Sequence, residues 1–135
     1  MKENSNRKWL MIALFPVLNA AMGMTWYGVF STPWMEGHGL TEAGIQSNFS
    51  PIPFVVSAVG SVLTAFVLQA LFTRLGVRGW RDGMMSGAAI GFFGLIGTMV
   101  SYQFAFLPMS LSFIDGGYAF VLFVVYGKVI GWWNR

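Results

Sequence analysis

Few side chains in this chain could carry chemistry. The single histidine, His38, stands in Glu36-Gly37-His38, and together with Asp115 these residues could make a carboxylate–imidazole metal site. Glycines flank His38 on both sides, so a solvated loop is the simpler expectation for the segment. One histidine cannot supply a two-histidine ligand set. The absence of cysteine removes thiol catalysis, cysteine-ligated metal clusters and thioether haem attachment. The sequence implies no metal and no cofactor, and no nucleophile–base pair lies close along it. Two further polar residues stand out. Asn19 falls inside an apolar run one turn after Pro16, where an amide is costly unless paired. A helix–helix hydrogen bond, to the carbonyl that Pro16 frees or to Ser57 or Thr64, competes there with a ligand or ion contact. Asp115 opens Asp115-Gly116-Gly117-Tyr118, where helix capping competes with proton or cation binding.

The elements that must position these residues follow from composition. Of 135 residues, 56% are hydrophobic and 10% charged, against about 45–50% and about 25% in soluble chains. This excludes a soluble globular domain, a disordered tail and a disulfide scaffold. Four apolar stretches, about 9–30, 52–72, 84–106 and 113–133, each approach the ~20 residues a membrane-spanning helix requires. Runs such as Trp9-Leu10-Met11-Ile12-Ala13-Leu14-Phe15 lack the period-two alternation of barrel strands. The expected fold is all-α: a single membrane domain, residues 1–135, built as a bundle of four transmembrane helices.

Charge sets the expected orientation. Lys2, Arg7 and Lys8 precede the first span, Arg74, Arg78 and Arg81 separate the second from the third, and Lys128 and Arg135 close the fourth. With four spans all eight fall on one side. The positive-inside rule makes that side cytoplasmic, with both termini inside. A cleaved signal peptide is the competing reading of the first span, with Leu18-Asn19-Ala20-Ala21 as the small-residue stretch. The apolar character continues through Met22, Met24, Trp26, Tyr27, Val29 and Phe30 and favours a retained helix. Trp26, Tyr27 and Trp34 on the outer side, and Trp9, Trp80, Trp132 and Trp133 on the inner side, read as interfacial belts. Thr41-Glu42, opening a short amphipathic turn (Ile45, Phe49) before Pro51, suggests a re-entrant or interfacial segment. No internal repeat and no nucleic-acid motif is present.

The third span carries the clearest spacing. Gly83, Gly87, Gly91, Gly94 and Gly97, then Thr98 and Ser101, project within roughly a third of the circumference at ~100° per residue. Such a face lets another backbone approach closely. Met85, Phe92, Phe93, Leu95, Ile96, Met99 and Val100 lie opposite. Ser57, Gly60, Ser61 and Thr64 give the second span a similar small face, so the two spans are expected to pair as a hairpin across Arg74–Asp82. A homo-oligomer seam is the other use of a glycine-spaced face.

The stretch Asn19-Ala-Ala-Met-Gly23-Met-Thr-Trp26-Tyr27-Gly28-Val-Phe30, followed by Trp34-Met and Gly39-Leu-Thr-Glu42, resembles the opening of the DUF1761 membrane proteins. Phe104 to Pro108, Ile114-Asp-Gly-Gly-Tyr118 and Gly127-x-x-x-Gly131 are similar to that family's last helix. The resemblance covers nearly the whole chain. It implies four helices and a plasma (inner) membrane address, and supplies no catalytic residue.

Three functional readings follow. The first is a protein that works by packing in the lipid bilayer, as a homo-oligomer or as an accessory subunit of other membrane proteins. The second is a small dimeric channel or transporter using Asn19, the Ser57–Thr64 face and Asp115. The third is a membrane-embedded enzyme acting on a lipid-soluble substrate, which would need distant residues to converge.

Overall fold

The computed structural model describes the backbone of residues 2–134 and the side chains from Arg7 to Asn134. The Lys2 side chain and Arg135, two of the charges that set the expected orientation, lie outside the described residues. Six helices and, among the described residues, no strand make up the chain. They are α1 (Lys2–Val29), α2 (Ser31–His38), α3 (Glu42–Ser47), α4 (Ile52–Leu75), α5 (Trp80–Phe104) and α6 (Met109–Trp133). Four of them contain segments long and apolar enough to cross a membrane: Arg7–Val29, Ile52–Leu75, Trp80–Phe104 and Met109–Trp133. In lipid the backbone must satisfy its own polar groups, and helices do so segment by segment.

Local chemistry sets the helix ends. α4 starts behind Pro51 with Pro53 in its first turn, where a missing N–H costs nothing. It stops at Gly76, whose φ of 67° is the left-handed conformation that glycine adopts without strain. There the Gly76 N–H bonds the Thr73 carbonyl at 3.3 Å and the Val77 N–H bonds that of Phe72 at 2.9 Å. α5 closes with the same pattern: Phe106 N–H to Gln103 O at 3.1 Å and Leu107 N–H to Tyr102 O at 2.9 Å. Here the left-handed position is held by Phe106, with φ 57° and a side chain 95% exposed. An L-residue pays about 1 kcal/mol in that conformation. Phe106→Gly is therefore expected to raise stability by about that amount, read as an upward shift of the thermal midpoint in detergent. An unchanged midpoint would mean that the turn relaxes around the phenyl ring.

The segment expected to be a solvated loop is helical instead. α2 continues almost directly from α1, and Gly37 lies over Leu111 of α6, where an added Cβ would stand 3.2 Å from the leucine Cδ1. The Thr41 hydroxyl caps α3 by accepting the Gly44 N–H at 3.1 Å. α6 starts at Met109, behind Pro108, and not at Phe113. Asp115 is consequently the seventh residue of the helix and cannot cap it.

Two packing systems join the long helices. α1, α4 and α6 share a buried cluster of Met11, Ile12, Phe15, Ala65, Leu68, Phe72, Tyr126 and Ile130, in which the Phe15 and Tyr126 rings meet edge-on at 4.2 Å. α5 packs on α6 almost alone. A Cβ on Gly83 would run into the Gly127 carbonyl oxygen, and one on Gly87 into that of Phe123. At Gly91 it would come within 2.8 Å of the Phe120 carbonyl oxygen. Reciprocally, a Cβ on Gly127 would meet the Gly83 carbonyl oxygen, and one on Gly131 that of Gly79. The glycine face of the third span thus lies against the fourth span, not the second as the hairpin expectation had it. Further along, Gly94 meets only Ala119 and Gly97 has nothing within 4 Å, while the close approach passes to Gly116, where a Cβ would stand 3.3 Å from the Leu95 Cα. Leu95, expected on the bulky outward side, packs over Gly116. Met85, Phe92, Phe93, Ile96 and Val100 are exposed, as are Phe54, Val55, Val59, Leu63, Phe66 and Val67 of α4.

Candidate functional site

The ends of α1, α2 and α5 converge on one carboxylate of α6. The Tyr27 hydroxyl donates to Asp115 Oδ1 at 2.8 Å, and the Trp34 indole N–H donates to the same oxygen at 3.1 Å. The Tyr102 hydroxyl donates to Oδ2 at 2.8 Å. His38 Nε2 lies 3.6 Å from Oδ2, an ion pair when the imidazole is protonated. The Asp115 side chain is 11% exposed.

The local sequence explains this convergence. Trp34 and His38 stand one turn apart on α2 and their rings meet at 4.7 Å, so one face of the short helix presents both groups to Asp115. The Trp26 indole N–H, one position before Tyr27, donates to the Ile114 carbonyl at 3.0 Å and fixes the end of α1 against α6. A carboxylate removed from water is tolerated when its lone pairs are filled, and here three neutral donors from three helices fill them.

A second polar layer lies deeper along α1. Asn19 Nδ2 donates to Ser57 Oγ of α4 at 2.7 Å. The Tyr118 hydroxyl of α6 sits 2.6 Å from Asn19 Oδ1 and 3.0 Å from its backbone carbonyl. Gly23, one turn on, leaves room for that hydroxyl, since a Cβ there would stand 3.3 Å from it. The Tyr27 and Tyr118 rings, 5.3 Å apart, connect the two layers. Nearer the termini, the Tyr126 hydroxyl donates to the Phe15 carbonyl at 3.3 Å, and Gln69 Nε2 donates to Asn134 Oδ1 at 2.8 Å. Interhelix hydrogen bonds within a membrane are worth about 0.6–2 kcal/mol each. Asn19→Leu, which removes two of them, is expected to cost about 1–3 kcal/mol, measured as loss of thermal stability in detergent. Tyr118→Phe should recover part of that cost in the double variant, and strict additivity would show that the two residues are not coupled.

Of the polar residues singled out in the sequence, Asp115 and His38 come together. Asn19 lies in its own layer, and Glu36 is exposed on α2. Among the described residues no three His, Asp or Glu side chains gather in a way that could hold a metal ion. Ser61 is buried and its hydroxyl bonds the Ser57 carbonyl at 2.8 Å, Thr64 is half-buried, and Gly60 has nothing within 4 Å. Tyr27, Trp26 and Trp34, expected as an interfacial belt, direct their polar atoms inward. The sequence assigns no polar role to Tyr102, Tyr118, Tyr126, Gln69 or Asn134, although Tyr118 and Tyr126 follow Asp115 along the same helix. The signal available for the tyrosines was their occurrence within apolar spans, where a hydroxyl must find a partner.

Four long apolar helices tied together by small-residue contacts and a few buried polar bonds make this a small helical membrane protein. The chain belongs to DUF1761, a family of proteins of unknown function, whose model matches residues 10–131. No curated protein and no solved structure matches it.

Proposed function

We propose that this protein is a single four-span membrane domain that works by packing, as a homo-oligomer or as an accessory subunit of a larger membrane complex, without chemistry of its own. The observation that carries this reading is the Asp115 centre. Its carboxylate oxygens are engaged by Tyr27, Trp34 and Tyr102 from three different helices, so the polar groups a substrate would need are already joined to one another. The outward faces of α4 and α5, with Phe54, Phe66, Phe92 and Phe93 exposed, supply apolar surface for lipid or for a neighbouring subunit. The basic end, with Arg7, Arg74, Arg78 and Lys128, faces the cytoplasm in this reading, and the host membrane is the plasma (inner) membrane.

The natural lack of cysteine makes the test clean. Single-cysteine variants Phe66→Cys and Phe93→Cys, crosslinked in native membranes, should give a discrete adduct from at least one face: a homodimer, or a product with one other subunit. Only monomer from both faces would refute the proposal. Gly91→Leu is unsuited to the purpose, because its face is covered by α6 of the same chain.

A channel or transporter for an ion or small solute is the second reading, favoured by the succession of polar groups from Ser57, Asn19 and Tyr118 to Asp115 and His38. Liposome flux that disappears with Asp115→Asn and Asn19→Leu would establish it. Flux indifferent to both substitutions would remove it.

A further inference from the structure

At the end of the molecule that holds the termini, a cavity of about 270 Å³ opens between the start of α1, the α4–α5 turn and the end of α6. Arg7, Lys8 and Arg78 line it together with Thr73, Trp133 and Asn134. Three cations thus face one small space, and among the described residues none of them has a carboxylate within 4.0 Å. The nearby turn closes on backbone groups. The Phe72 and Thr73 carbonyls already accept the Val77 and Gly76 N–H groups, and the Gly131 carbonyl accepts the Gly79 N–H at 2.8 Å. Arg7 is held in place by the Trp133 indole, its guanidinium 5.6 Å from the ring centroid. Behind the wall, Gln69 Nε2 donates to Asn134 Oδ1, while Gln69 Oε1 and Asn134 Nδ2 are both buried without a partner. Three cationic side chains around one cavity, one of them a guanidinium restrained on an indole, are complementary to an anion carrying several acceptor oxygens. Trp9 is exposed beside Lys8 on α1, an aromatic next to a cation of the kind that suits a headgroup layer.

We infer that this cavity binds a phosphate-class anion, with the phosphodiester of an anionic phospholipid as the ligand that its basicity and its place beside the apolar α1–α4 surface favour. Arg7 and Arg78 clamp the phosphate oxygens from opposite walls, Lys8 adds charge, and the acyl chains run along the apolar surface between α1 and α4.

The test uses the full chain in detergent, stripped of lipid and titrated separately with phosphatidylglycerol, phosphatidylcholine and inorganic phosphate, with adducts counted by native mass spectrometry. Phosphatidylglycerol is expected to bind at least about tenfold more tightly than phosphatidylcholine. The preference should vanish in the combined Arg7→Gln, Lys8→Gln and Arg78→Gln variant. Arg81→Gln, which removes a charge stacked on Trp80 and outside the cavity, should leave it intact. Arg78 lies in the turn between helices, so Arg78→Gln alone, with an expected loss of about threefold or more, keeps the test valid if the triple variant does not fold. Inorganic phosphate that binds with the same arginine dependence and displaces the lipid would assign the site to free phosphate, with the recognition chemistry unchanged. Equal binding of the two lipids, or a preference that survives loss of the three cations, would overturn the inference.

Discussion

Gly127→Ala is expected to lower stability by about 3 kcal/mol or more, a fall of roughly 10 °C in the thermal midpoint, although it adds a single methyl group. That methyl would meet the Gly83 carbonyl oxygen and stand 2.9 Å from the Gly87 Cα, and neither atom can move without its helix. α5 and α6 must separate along their length to admit it. Separation forfeits the dispersion contacts that hold helices together where lipid provides no hydrophobic drive. The comparison within one protein makes the prediction specific. Gly97→Ala and Gly60→Ala, with nothing within 4 Å, should be neutral or raise stability by up to about 1 kcal/mol through helix propensity. If all three substitutions behaved alike, the close contact between α5 and α6 would not govern stability.

The second large effect belongs to Asp115. Asp115→Leu leaves the Tyr27 and Tyr102 hydroxyls and the Trp34 indole N–H without their acceptor. A stranded buried donor costs about 1–3 kcal/mol. The three donors share one acceptor group and can partly re-pair with one another, so the expected total is about 3 kcal/mol rather than the full sum. Asp115→Asn keeps one acceptor oxygen and should cost about half as much. Because α2 is tied to the rest of the chain largely through this centre and the Gly37–Leu111 contact, proteolysis within Ser31–His38 should accelerate in both variants, more so in the leucine one. Unchanged stability and unchanged cleavage in Asp115→Leu would separate Asp115 from the fold and shift weight to an ion-binding role.

These two sites differ in how far they could be read from residues alone. The four spans were legible because length and apolarity are sufficient conditions for a membrane helix. The glycine spacing from Gly83 to Gly97 was legible as a close-approach face, because only small residues at that period allow one. Its partner was not legible. Small faces exist on the second span and, through Gly127 and Gly131, on the fourth, and short connections bound the third span on both sides. The choice is made in three dimensions: Ser57 is drawn to Asn19 of α1, and the Gly79 N–H bonds the Gly131 carbonyl, so the α4–α5 turn is fixed to the end of α6. Capping by Asp115 looked plausible from residues alone because hydropathy places the apolar start of the last span near Phe113, whereas Pro108 marks where the helix begins. Once the helix begins at Met109, the aspartate falls inside it and must collect donors. The residues that serve it, Tyr27, Trp34 and Tyr102, are aromatic, and in an apolar sequence aromatic residues have the same composition signature whether they face headgroups or a buried anion.

Native mass spectrometry of the protein, extracted gently from its own membrane, tests the packing reading most directly. A single homo-oligomeric mass, or co-migration with other subunits in fixed ratio, is the predicted result. A free monomer at every extraction strength, with liposome flux or turnover that depends on Asp115, would contradict it.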